Sequence, residues 1–154
     1  MTARVVSVAK DGIPDIIDEI MNIERSSFSV PWNADDFTSS ANHGTVAASF
    51  GEDDRLSGYG CLISAADEAE ITNLAVAKNE RRQGIGSAIL DYLIVTAAGV
   101  SARRIFLEVR ESNSGAIALY SSRGFKSIGK RIGYYRLPKE DAIIMMLEIG
   151  NTEC

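Results

Sequence analysis

The sequence predicts an α+β protein, a sheet with helices packed on it, and three observations carry that expectation. Strand-like and helix-like stretches interleave in an irregular order, about β-α-α-β-β-β-α-β-α-β-β, which fits neither a solenoid nor a simple repeated βαβ unit. A mid-chain strand runs into a glycine turn and then into a long helical run that stops at Gly99. The C-terminal part reads as two strands. With 154 residues, 45% hydrophobic and 24% charged, the chain can bury a proper core and is expected to form a single domain over 1–154.

The elements follow in order. "RVVSV" reads as a strand and "IPDIIDEIMNIERSSF" as a helix, with Ile16, Ile17, Ile20 and Ile23 at helical spacing. "VPWNADDF" offers Asn33 as an N-cap, with Asp35 and Asp36 in a first turn whose dipole favours negative charge, so a second helix is expected to run to about Ser40. "TVAASF" and "SGYGCLISAA" are strands joined by "GEDDRL", a solvated hairpin turn. "AEITNLAV" is the next strand, and the run after Gly84 the next helix. "RRIFLEVR" alternates Ile105, Leu107 and Val109 with Phe106, Glu108 and Arg110, so Glu108 sits beside an aromatic. "SNSGAIALYSSRGF" reads as a short helix closed by Gly124 at the left-handed cap position, followed by the strands "FKSIGKRIGYYRL" and "DAIIMMLEI".

A formal net charge of −5 argues against general nucleic-acid binding and suits a basic partner. No apolar run approaches the roughly 18 residues of a membrane span, and "MTARVVSVAK" lacks the apolar core of a secretory signal, so a cytoplasmic protein is expected. Cys61, in an apolar run, and Cys154 form neither a disulfide framework nor a metal-spaced set, and both are expected to stay reduced. With His43 as the single histidine, no metal site is expected.

The stretch "RRQGIG" opens a helix. Amides left free at a helix N-terminus, with the helix dipole, form a ready anion site, and glycines let a phosphate approach the backbone. The turn is therefore a candidate pyrophosphate cradle, although from spacing alone its glycines equally serve tight strand-to-helix packing. It contains no G-x-x-x-x-G-K-(S/T) triphosphate loop, and the G-x-G-x-x-G dinucleotide pattern fails at Ile89.

Following "NLAV", Arg81-Arg82-Gln83-Gly84-Ile85-Gly86 has the form (Q/R)-x-x-G-x-(G/A), which closely resembles the acetyl-CoA cradle of the GNAT acyltransferases. The strand "LEVRESN", the helix "AIALYSSRGF", the final "GYYRLPKEDAIIMML" and the early "FSVPW" extend the resemblance over nearly the whole chain. They narrow it to the RimI-type branch, which acetylates the N-terminal alanine of small-subunit ribosomal protein eighteen. The resemblance implies a mixed, mostly antiparallel central sheet with helices on both faces, acetyl-CoA as cosubstrate and a protein N-terminus as acceptor. It implies that Leu74, Ala75 and Val76 present backbone groups to the pantetheine arm and that Arg82 through Ser87, with Gln83, Gly84, Ile85 and Gly86 between them, wrap the pyrophosphate. The doubled Arg81-Arg82 leaves open which guanidinium meets phosphate. Asn113 matches a cofactor-contacting asparagine, Glu108 the proton acceptor acting through a water, and Tyr120 the residue that protonates the departing thiolate. Phe28, Pro31 and Trp32, with Tyr134 and Tyr135, match two loops that grip the peptide N-terminus. Taken without the resemblance, Asn113 also reads as a helix cap, Glu108 as a solvated edge residue, Tyr120 as core and the aromatics as ordinary packing.

The chemistry favours an α-amine. Attack on a thioester needs a neutral amine, and an α-amine with a pKa near 8 is about ten percent neutral at pH 7, whereas a lysine near 10.4 costs roughly 4 to 5 kcal/mol to deprotonate there. A backbone amide within Leu74–Val76 is the expected holder of the oxyanion. Cys61 has no activating histidine in sequence context, so direct attack in a ternary complex is expected rather than a covalent intermediate. The rival acceptors are lysine side chains, polyamines and other small amines. From a different class, the rival is a non-catalytic acyl-CoA-binding module, and Glu108 and Tyr120 count against it.

Overall fold

The computed structural model describes residues 4–150, and the expectation for Cys154 lies outside them. The elements follow the anticipated order: β1 (Arg4–Ser7), α1 (Ile13–Ser27), α2 (Ala34–His43), β2 (Gly44–Phe50), β3 (Leu56–Ala65), β4 (Glu68–Val76), α3 (Ile85–Gly99), β5 (Arg104–Arg110), α4 (Ser114–Ser122), β6 (Lys126–Arg136) and β7 (Lys139–Glu148). Short 3-10 turns at Lys10–Gly12 and Lys78–Glu80 add to these. Hydrogen-bonded strand neighbours run β1-β2-β3-β4-β5-β7-β6. The pairings β1·β2, β2·β3, β5·β7 and β6·β7 are antiparallel and β4·β5 is parallel, the mixed sheet expected. Among the described residues no helix is long and apolar enough to cross a membrane.

The chain divides into two compact units, and β4 is shared between them. The first takes residues 4–63 and 71–96, the second 64–70 and 97–150.

In the first unit α1 starts with a proline in its first turn, where a missing N–H costs nothing, and buries Ile13, Ile20, Met21 and Ile23. A capping box opens α2: Asp36 N donates to Asn33 Oδ1 at 3.0 Å, and Asn33 N to Asp36 Oδ2 at 2.9 Å. The helix continues to His43 instead of stopping near Ser40. Nothing in "SANH" breaks a helix; Ala41 packs against the core, and the stop comes only at Gly44, whose N–H bonds Ser40 O. Phe37 is fully buried between Trp32 (5.0 Å between centroids) and Tyr59 (5.4 Å, edge-on).

Glycines on β3 let α3 approach it. A Cβ at Gly58 would stand 2.8 Å from Ala75 O and 3.0 Å from Ile89 Cδ1, and one at Gly60 would stand 2.8 Å from Ile89 Cγ2. Gly58→Val is therefore expected to cost about 1–3 kcal/mol through overpacking. The midpoint of denaturant unfolding should fall accordingly, and an unchanged midpoint would contradict this packing.

In the second unit β5 buries Ile105, Leu107 and Val109 as the alternation requires, and Phe125, Ala142 and Met145 are buried in the same unit. Helix α4 ends in front of Gly124, which holds φ +96° as the left-handed cap position demands. Strand β7 lies between β5 and β6. Its register sets Glu108 opposite Ile144 and Ala142 opposite Arg131, so Glu108 and Arg131 share a sheet face although no direct pairing joins their strands.

Candidate active site

The turn after β4 is built around two left-handed residues, Arg82 at φ +66° and Gly84 at φ +78°. It delivers the chain into α3, where Ala88 N makes a helical bond to Gly84 O at 3.0 Å. Ile85, Gly86 and Ser87 supply first-turn amides, which have no acceptor one turn back in their own helix. Together with the dipole of α3 they suit an anion. The two arginines separate in role. Both are solvent-exposed, but Arg81 Nε donates to Val76 O at 3.1 Å and its Nη2 reaches Ser27 Oγ at 3.5 Å.

Just upstream, the register of β4 on β5 comprises Glu68↔Arg104, Ala69↔Ile105 and Glu70↔Phe106, and Leu74, Ala75 and Val76 lie downstream of it. In the loop between α1 and α2, Phe28 and Pro31 are exposed and Trp32 is half-buried against Phe37. Trp32 N donates to Glu24 Oε2 at 2.9 Å.

The second unit carries the remaining candidates. Glu108 lies on an interior strand, with β4 and β7 as neighbours, and pairs there with Ile144 of β7, beyond the last β4 pairing at Glu70↔Phe106. It is ion-paired with Arg131 Nε and accepts a hydrogen bond from the Tyr134 phenol, which that bond, then burial, pushes upward. Tyr134 and Tyr135 sit edge-on at 5.1 Å. The Tyr135 ring lies 4.2 Å from the Arg110 guanidinium, and burial, then the Glu108 charge, raises its phenol to about 12. Tyr120 is 7% exposed on α4, edge-on to Phe125 at 5.7 Å. Burial pushes its phenol up to about 12, with Tyr135 as a lesser cause. Asn113 is the N-cap of α4, its Oδ1 accepting from Ala116 N at 3.1 Å, as its plain reading expected.

Several residues of consequence escaped the sequence reading. Arg110 clamps the β6–β7 turn, donating to Pro138 O at 2.9 Å, Leu137 O at 3.0 Å and Glu140 Oε1 at 3.1 Å. Glu140 is held below the usual carboxylate range, first by its bond from the Ser112 side chain. Glu70, opposite Phe106, shares a face with Glu108; burial, then the Glu108 charge, holds its carboxyl above the usual range, with Arg131 opposing. A carboxyl raised in this way binds protons more readily folded than unfolded, so it lowers stability as pH rises through the window above the ordinary carboxylate value. Glu70→Gln is accordingly expected to raise the thermal midpoint at pH 7 and to lose that advantage below about pH 4. Equal gains at both pH values would contradict the assignment. Burial also pushes the Cys61 thiol upward, which leaves it protonated rather than nucleophilic.

Comparison with known proteins converges on one family. Residues 17–125 match the model of the "Acetyltransferase (GNAT) family". The chain is 35% identical over 131 residues to the ribosomal protein bS18-alanine N-acetyltransferase of Escherichia coli strain K12, covering 84% of this chain and 88% of that one. It is 35% identical over 130 residues to the enzyme of the same name from Salmonella typhimurium, covering 83% of this chain and 88% of that one. The crystal structure of the E. coli ribosomal-protein-S18-alanine N-acetyltransferase superposes with a TM-score of 0.86 at 30% identity, over 99% of this chain and 97% of that chain. With the glycine turn opening α3, the interior carboxylate on β5 and the buried tyrosine on α4 already in place, these matches mean that the chain belongs to the GNAT acetyltransferase family.

Proposed function

We propose that this chain is an N-α-acetyltransferase that moves the acetyl group of acetyl-CoA onto the N-terminal alanine of ribosomal protein bS18, as a single acetyltransferase domain working in the cytoplasm. The observation that supports the acceptor best is that the relatives bearing this activity match along almost their whole length.

Bound acetyl-CoA supplies the thioester that the amine attacks directly. The chain's own groups do the rest. First-turn amides of Ile85, Gly86 and Ser87, the turn residues Gln83 and Gly84 and the Arg82 guanidinium bind the pyrophosphate, while Arg81 braces the turn on Val76 O. The match of left-handed backbone, exposed arginine and first-turn helix amides to a doubly charged phosphate pair is what fits the cosubstrate to this turn. Backbone groups of Leu74, Ala75 and Val76 hold the amide-rich pantetheine arm, and Asn113, at the start of α4, adds a contact. Phe28, Pro31, Trp32, Tyr134 and Tyr135 hold the acceptor peptide. Glu108 accepts the proton from the amine through a water, its carboxylate oriented by Arg131 and Tyr134. Tyr120 offers its O–H to the departing sulfur.

The net charge of −5 suits a basic protein as acceptor by favouring encounter. Steady-state assays on peptides that begin as bS18 begins, with the first residue varied, test the acceptor: kcat/KM highest for alanine supports it, and equal rates for all first residues reject it.

A further inference from the structure

Glu24 is the buried acid that the scheme above leaves unused. It is 1% exposed on α1, and among the described residues its carboxylate accepts from three neutral donors in three different segments. Tyr59 Oη on β3 donates to Oε1 at 2.7 Å, Asn73 Nδ2 on β4 donates to the same oxygen at 2.9 Å, and Trp32 N donates to Oε2 at 2.9 Å. Burial, then the bond to Glu24, pushes the Tyr59 phenol upward, which keeps it a donor. A carboxylate buried without a counter-ion is costly unless donors converge on it, and only an acceptor on both oxygens satisfies this set.

The geometry of the adjoining loop gives the arrangement its meaning. Glu24 holds both ends of it: its backbone carbonyl accepts from Phe28 N at 3.0 Å and its carboxylate from Trp32 N at 2.9 Å. Ring contacts from Trp32 to Phe37 and from Phe37 to Tyr59 close a circuit back to the same carboxylate. On its other oxygen the anchor is Asn73, the residue before Leu74.

We propose that Glu24 is a positioning residue that fixes the Phe28–Trp32 loop against the end of β4 and thereby shapes the acceptor subsite. The proposal rests on the assignment of that loop to the acceptor peptide and of Leu74–Val76 to the acyl donor. Glu24→Gln is the direct test. A glutamine oxygen can still take Tyr59 and Asn73, but its NH2 group meets the Trp32 N–H donor to donor. The loop is released while β3 and β4 stay joined.

The peptide KM should rise about tenfold or more, the loss expected for a hydrogen bond to a charged group, while kcat and the acetyl-CoA dissociation constant stay within about threefold. Tyr59→Phe removes another donor from the same carboxylate without touching the loop; it should lower stability and leave the peptide KM unchanged. Trp32 is the only tryptophan of the chain, so its fluorescence reports the loop independently of turnover. Emission should shift and acrylamide quenching increase in Glu24→Gln but not in Tyr59→Phe. An unchanged peptide KM, or a KM raised equally by both variants, overturns the positioning role; unchanged fluorescence overturns the clamp itself. Should Glu24→Gln fail to fold, Glu24→Asp, shorter by one methylene, is read by the same two measurements. If the native chain acetylates no N-terminal peptide, the functional reading fails, and the fluorescence still decides the clamp.

Discussion

Tyr120→Phe is expected to lower kcat by about 10²-fold or more, the lower range for loss of a positioned proton donor, while acetyl-CoA binding measured by calorimetry stays nearly unchanged. The substitution removes one oxygen and keeps the ring, so the edge contact with Phe125 at 5.7 Å survives and stability should hold. Burial raises the phenol to about 12, so the donor stays loaded at neutral pH. No loss of activity in the pH profile below about pH 10 should therefore trace to this group. Relative to a thiol near 8.5, complete transfer from such a phenol is uphill. On the proposed reading, Tyr120 would contribute mainly as a hydrogen-bond donor whose bond strengthens as charge builds on the sulfur. Unaltered turnover in Tyr120→Phe would remove it from the reaction and leave it a core residue.

Glu108→Gln is the second large effect, and its size should depend on pH. At pH 7 an α-amine with a pKa near 8 is about ten percent neutral, so a proton acceptor matters most there. We expect a loss of about 10²-fold in kcat/KM at pH 7, shrinking as pH rises past 8 and the amine loses its proton to solvent. The neutral variant also forfeits its ion pair with Arg131, although its amide oxygen can still accept from Tyr134. On the proposed reading, Arg131 would act with Glu108. A loss that is equal at pH 7 and pH 9.5 would mean that Glu108 holds geometry rather than a proton.

Much of this molecule was readable before its structure, because local periodicity and capping chemistry decide local elements. The strand alternation of "RRIFLEVR", the Asn33 cap and the stop at Gly124 depend on neighbours in sequence, and all three stand. Contacts made through register were not readable. Arg131 meets Glu108 only because β7 enters between their strands, and Glu70 joins them only through the parallel pairing that starts at Glu68. Glu24 did leave a trace: it falls one helical turn after Ile20, on the apolar stripe of α1, where a charge has no business unless donors await it. The division of the chain within β4, at Glu70 and Ile71, has no signal in a strand whose alternation is unbroken. Likewise the roles of Arg81 and Arg82 part only through backbone geometry, one extended and one left-handed.

The central claim is transfer to a protein α-amine, and mass spectrometry tests it most directly. A peptide with a free N-terminal alanine and an internal lysine is incubated with acetyl-CoA beside its N-blocked twin. The account predicts one acetyl group on the free peptide and none on the blocked one. Equal labelling of both peptides would mean that lysine is the acceptor and would contradict it.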